Sequence, residues 1–152
     1  MAPDEMGGGV EATAKIQSDR KSFLAYREKR IRHWDFVARK QDDWTSKGAY
    51  YRRRISEIYQ YLIPPGRRVL VIGCTTGDLL AALKPEVGVG IDFSGEMIKR
   101  AEERYPHLRF ITGDAHEMDL GEKFDFIVLS DVVNDLWDVQ TVFDRLLDHC
   151  TP

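Results

Sequence analysis

Val69-Leu70-Val71-Ile72-Gly73-Cys74-Thr75-Thr76-Gly77-Asp78 is the stretch on which the reading of this chain turns. A run of branched apolar residues ends in one glycine, and a second glycine follows four residues later. Such a run has the composition of a strand covered on both faces. Glycine lets the chain turn with positive φ and lets backbone amides approach a ligand closely. Gly77 to Leu83 then reads as a helix. Fifteen residues beyond Gly77, Asp92 closes a second strand, Val87 to Ile91. A carboxylate at that place can accept both hydroxyls of a ribose. Strand, glycine loop, helix, strand and terminal acid together point to a nucleoside site.

The same alternation continues outward. Ser94 to Tyr105 reads as a helix with Ser94 as its N-cap. Leu108 to Thr112 is a third strand, ending in Gly113-Asp114, and Phe124 to Leu129 is a fourth. Val139, Val142, Phe143, Leu146 and Leu147 then hold helical spacing. The pattern predicts an α/β fold with a parallel sheet and helices on both faces. Upstream, Pro64-Pro65-Gly66 stops a helix whose Tyr51, Ile55, Ile58 and Leu62 form an apolar packing stripe. Asp42 to Gly48 breaks the pattern before it. From Ala14 to Lys40 the composition is helix-forming, but Phe23, Leu24, Tyr26, Ile31, Trp34, Phe36 and Val37 are spaced loosely, so one helix or two fit equally. The expected organisation is a disordered tail over 1–12, a helical arm or lid over 13–66 and a ligand-binding domain over 67–152.

Composition limits the alternatives. The 152 residues are 43% hydrophobic and 31% charged, as one globular domain requires. No apolar run approaches the ~18 residues of a membrane helix, and no secretory signal opens the chain. Two cysteines, Cys74 and Cys150, make neither a disulfide framework nor a metal-ligand pattern, so a cytoplasmic protein without a metal is expected. Residues 1–68 carry 15 Lys and Arg against 9 Asp and Glu, and residues 69–152 carry 7 against 16. A basic arm on an acidic body admits a nucleic-acid partner. Packing of the arm across its own acidic body is the simpler expectation, which argues against nucleic acid.

The dinucleotide fingerprint wants glycines at the first, third and sixth loop positions. Here the third and sixth are Thr75 and Asp78, and an acid at the sixth would repel a pyrophosphate. Residues 69–148 instead resemble the first half of a class I S-adenosylmethionine-dependent methyltransferase. Gly73-Cys74-Thr75-Thr76-Gly77 is similar to that family's Gly-x-Gly-x-Gly loop, which passes under the methionine part of the cofactor. The resemblance implies that Asp92 holds the ribose hydroxyls and that Phe93 and Met97 pack beside ribose and adenine. It gives Asp114 the adenine amino group and Ala115 a ring nitrogen, and it turns Ser130, at the end of the fourth strand, toward the methyl donor. The implied fold is Rossmann-like, with strand order 3-2-1-4 and preceding N-terminal helices.

Three departures stand out. Thr75 replaces the middle glycine. Val71 stands where many members carry an acid that receives the methionine amine, for which Asp78 is a partial substitute. The chain also ends before the family's fifth strand, which leaves the fourth as an edge and implies self-association along it or a locally unstable region there. The resemblance implies methyl transfer to a small-molecule oxygen or nitrogen acceptor by in-line displacement, with no catalytic residue marked by a motif. Ser130-Asp131-Val132-Val133 lacks the patterns of amide-, adenine- and cytosine-directed enzymes. His33 and His116 read as solvated or loop residues, and Tyr51 as the first residue of the packing stripe. Cys74 reads as a loop filler. The competing classes are a dinucleotide oxidoreductase, which fails at the loop, and a non-catalytic cofactor-binding or interaction module.

Overall fold

The computed structural model describes residues 8–40 and 48–152. Two helices, α1 (Gly8–Lys40) and α2 (Ala49–Leu62), precede an alternating series. It runs β1 (Arg68–Ile72), α3 (Asp78–Ala82), β2 (Val87–Asp92), α4 (Gly95–Arg104), β3 (Arg109–Thr112), β4 (Phe126–Leu129) and α5 (Val139–Leu147). The four strands are parallel, in the order β3-β2-β1-β4. Chain direction across the sheet reverses beside β1, and in open parallel sheets ligands bind at the strand ends next to such a reversal.

The core follows from side-chain alternation along β1. Val69 and Val71 face one side, with Leu80, Leu83, Ile98, Ala101 and Phe110. Leu70 and Ile72 face the other, with Val89, Ile91, Phe124, Val142 and Leu146. Both faces are therefore covered, as an apolar parallel strand requires. Ser94 caps α4 by accepting from the Met97 amide at 3.2 Å. Asp138 caps α5 by accepting from the Thr141 hydroxyl and the Thr141 amide, and these bonds hold its carboxyl below the usual range.

The N-terminal region differs from the expectation in two ways. A single helix, α1, runs from Gly8, inside the stretch read as tail, to Lys40. Residues 1–7 of that tail and residues 41–47, which hold all but Gly48 of the expected break at Asp42 to Gly48, lie outside the described residues. The apolar stripe of α2 is not core: Ile58 is 50% and Leu62 58% exposed. Tyr59 and Ile63, off the stripe, pack against the core instead. The basic arm does lie on the acidic body: Arg27 pairs with Asp114 and Glu117, Arg30 with Asp135, and Arg39 with Glu96. Among the described residues no helix is long and apolar enough to cross a membrane.

β4 is at the sheet edge, but its approach is not bare. Phe124 donates its amide to His149 O at 2.8 Å, accepts from Thr151 N at 3.0 Å, and forms a parallel bridge with Cys150. Beyond that rung no described strand pairs with the outer side of Phe126–Leu129. Amides of 126–129 should therefore exchange with solvent faster than those of 69–72, which lie between two neighbours. Hydrogen exchange resolved by residue checks this; equal protection of the two strands would contradict it.

Candidate functional site

The site lies at the carboxyl ends of β1, β2 and β4. Gly73 leaves β1 with φ +68, and a Cβ there would come within 2.7 Å of Val132. Only glycine fits the position, so the loop can pass close beneath Val132. Thr75 also takes a left-handed φ, +48, which a threonine rarely adopts. Its amide is held by Asp92 Oδ2 at 3.0 Å, while Asp92 Oδ1 takes the Ser94 amide at 2.9 Å. Asp92 thus ties the β1 loop to the β2 loop. Each of its oxygens keeps a further lone pair. It is only 7% exposed, and burial pushes its carboxyl up from the ordinary range, against the two amides.

Two connected compartments open on either side of Asp92. The first spans about 460 Å³ and the second about 1110 Å³, both counted together with space open to solvent at their mouths. Gly73, Asp92, Phe93, Val132 and Asp135 line both. Asp114 and Ala115 line the first; Cys74, Thr75, Met97 and Ser130 line the second. Of the ten cofactor residues expected from the sequence, nine converge here. Gly77 does not. It stands behind the loop at φ +79, where a Cβ would strike the Phe110 ring at 2.7 Å. It serves packing of the loop on β3.

Asp78 lines the second compartment, but its carboxylate is occupied. It accepts from Thr76 Oγ1 and Tyr105 Oη, both at 2.7 Å, and pairs with Arg104 at 3.0 Å. That compensation removes it as a ready partner for a ligand amine, and buried Val71 offers none. Cys74 is a filler as expected, its thiol pushed well up by burial.

Reading by sequence missed the cover. Asp135, in a short turn after β4, is 8% exposed and receives three side chains from α1. Arg30 pairs with its Oδ1, Trp34 Nε1 donates to Oδ2 at 2.8 Å, and Tyr26 Oη donates to its carbonyl at 3.2 Å. Their four-residue spacing places all three on one helix face. Asp35 of α1 accepts from Ser94 Oγ beside the α4 cap. His116 also leaves the role of plain loop. Its Nδ1 bonds Asp114 Oδ1 at 2.6 Å, and its Nε2 accepts from the Asp138 amide at 3.1 Å. That pattern holds the Asp114 carboxylate in place from one ring nitrogen while the other anchors the loop before α5. Tyr51 is no stripe residue: its hydroxyl donates to Asp131 Oδ1 and Oδ2 at 2.9 and 2.8 Å across the cleft mouth. His33 is exposed and does not line either compartment.

Residues 69–152 match the methyltransferase domain family. The chain belongs to that family, and its sheet order is that of the class I S-adenosylmethionine-dependent enzymes. A probable cobalt-precorrin-6B C(15)-methyltransferase from Thermoplasma acidophilum is 25% identical over 109 residues, 64% of this chain and 54% of the relative. The structure of the N-methyltransferase NodS from Bradyrhizobium japonicum, solved with S-adenosyl-L-homocysteine, superposes with a TM-score of 0.60 at 25% identity, over 66% of this chain and 57% of that one. An amino pentose methyltransferase from Micromonospora echinaspora, solved with S-adenosylmethionine, shares the fold at TM-score 0.57 and 24% identity, over 66% of this chain and 45% of that one. The chain spans about half the length of the relatives it matches.

Proposed function

We propose that the chain binds S-adenosylmethionine and transfers its methyl group to a nitrogen or oxygen of a small molecule. The observation that carries this is the position of Asp92, buried at the junction of two compartments with a lone pair free on each oxygen. Asp92 takes the ribose hydroxyls. Asp114 and the Ala115 amide take the adenine edge, with Phe93 beside it. Gly73, Cys74 and Thr75 run under the methionine part, Phe93 and Met97 pack beside ribose and adenine, and Ser130 faces the methyl group. Gly77 supports the loop from behind.

The residues fit such a cofactor. The cradle at Gly73 admits no side chain, and the donor set at Asp92 and Asp114 is carboxylate, suited to hydroxyl and amino groups. When bound, the cofactor would supply a sulfonium methyl group as the electrophile for an in-line displacement. The chain's own task is to hold donor and acceptor in line and to exclude water. α1 serves the second purpose, because Tyr26, Arg30 and Trp34 close over both compartments through Asp135.

The test is calorimetric. S-adenosylhomocysteine should bind with micromolar-scale affinity, and nicotinamide dinucleotides should not bind. Dinucleotide binding without S-adenosylhomocysteine binding would overturn the reading.

A further inference from the structure

Four carboxylates line the second compartment: Asp78, Asp92, Asp131 and Asp135. Three are committed. Asp78 is compensated by Arg104, Asp135 by Arg30, and Asp92 by two backbone amides at the ribose position. Asp131 is different. It follows Ser130 at the end of β4, is exposed to the compartment mouth, and no arginine or lysine of the described residues pairs with it. Its partner is the Tyr51 hydroxyl, which bridges both oxygens and leaves each with another lone pair.

The backbone holds Asp131 in this place under strain. Its φ is +56, a left-handed conformation that few residues with a Cβ adopt, though Asp and Asn do so most readily. Strain of this kind persists where the surroundings over-determine the geometry, and it clusters at working sites. Tyr51 comes from α2, which is otherwise exposed along this stretch, so the hydrogen bond joins α2 to the loop after β4. Around them Trp34, Val37 and Ile55 give the compartment an apolar wall.

We propose that Asp131 is the acceptor-binding carboxylate and that the acceptor is an amine, with Tyr51 as the positioning residue that fixes the carboxylate. This rests on the methyl-transfer reading above. A carboxylate that pairs with no arginine or lysine among the described residues attracts a cationic or polarised N–H group and repels an acid. An amine held there as its cation first passes a proton to water, which frees the lone pair; the nitrogen becomes positively charged again as the new C–N bond forms, and a fixed carboxylate beside it stabilises that charge. The extra proton then leaves to water. A hydroxyl acceptor would instead need a base, and Tyr51 is ill suited: its hydrogen bond to Asp131 pushes its phenol up, so it keeps its proton and acts as donor.

The experiment uses the 152-residue chain loaded with S-adenosylhomocysteine, titrated calorimetrically at pH 7 with benzylamine, benzyl alcohol and benzoate. The amine should bind at least tenfold more tightly than the matched alcohol and acid. Asp131→Asn tolerates the left-handed backbone and removes only the charge, so it should abolish that preference while leaving S-adenosylhomocysteine affinity within twofold. Asp131→Glu should recover part of it. Tyr51→Phe should lower the preference severalfold without abolishing it, since the carboxylate remains but is no longer fixed. Equal binding of all three probes, or an amine preference that survives Asp131→Asn, would overturn the proposal. Failure of the unmodified chain to bind S-adenosylhomocysteine would instead remove the methyl-transfer reading itself.

Discussion

Asp135→Ala should unfasten α1 from the body and cost on the order of 3 kcal/mol in unfolding free energy. The substitution removes the acceptor for Trp34 Nε1 and leaves the Arg30 guanidinium without its counter-charge. Breaking a buried pair by deleting one partner typically costs 3–5 kcal/mol. The lower end applies because the Arg30 side chain is still 25% exposed. The Arg30 Nε is already buried without a partner, so little nearby can take over from the lost carboxylate. Denaturant titration should show the lower midpoint, and trypsin should cut after Arg27 and Arg30 at a much higher rate. Asp135→Asn keeps an acceptor for the indole and should lie between the two. An unchanged midpoint together with unchanged cleavage would mean that α1 is held elsewhere.

The second large effect is at Asp92. Asp92→Asn should lower S-adenosylhomocysteine affinity at least tenfold, since hydrogen bonds to a charged acceptor are worth roughly 1.5–3 kcal/mol each. Asp92→Ala should do the same and also destabilise the apo chain, because the Thr75 and Ser94 amides lose their acceptor. The residue is therefore not a dispensable rim acid. Its pH behaviour follows from burial, which raises its pKa. As pH falls, Asp92 takes up a proton earlier than an ordinary aspartate would, so affinity should begin to fall at a pH above the usual aspartate range. For stability the sign is opposite to that of a salt-bridged acid. The folded pKa lies above the unfolded one, so the charge costs stability at neutral pH and that cost disappears below the unfolded pKa. Calorimetry across pH 4–8 on the unmodified chain and Asp92→Asn separates the two effects. A pH dependence that survives the substitution would assign the titration to another group.

The sheet was legible because its strands carry their own punctuation. β1 and β2 are apolar runs closed by Gly73 and Asp92, Pro64-Pro65 stops the helix before them, and Ser94 caps the helix after. Nine of the ten expected cofactor residues came together for the same reason, since each sits at a fixed offset from a strand end. The cover was not legible. Trp34 and Asp135 are 101 residues apart, and their contact is a polar one that leaves no trace in apolar spacing. The same cause made α1 look irregular: it meets the body through Arg27, Arg30, Trp34 and Asp35 as much as through apolar side chains. In α2 the error ran the other way. Regular spacing suggested a buried stripe, yet its contact across the cleft is a tyrosine hydroxyl that reaches past the helix to Asp131.

The straight run of α1 has a kinetic consequence. Its 33 residues contain no proline, so it behaves as a continuous rod about 50 Å long. Phe23, Tyr26, Arg27 and Arg30 roof one compartment, and Trp34 and Val37 overhang the other. A rod cannot lift over one chamber and stay seated over its neighbour without bending. Under the methyl-transfer reading, one movement of α1 would therefore uncover both compartments together. Turnover should then be paced by that one movement, with the departure of each ligand sensitive to any change along the whole seam.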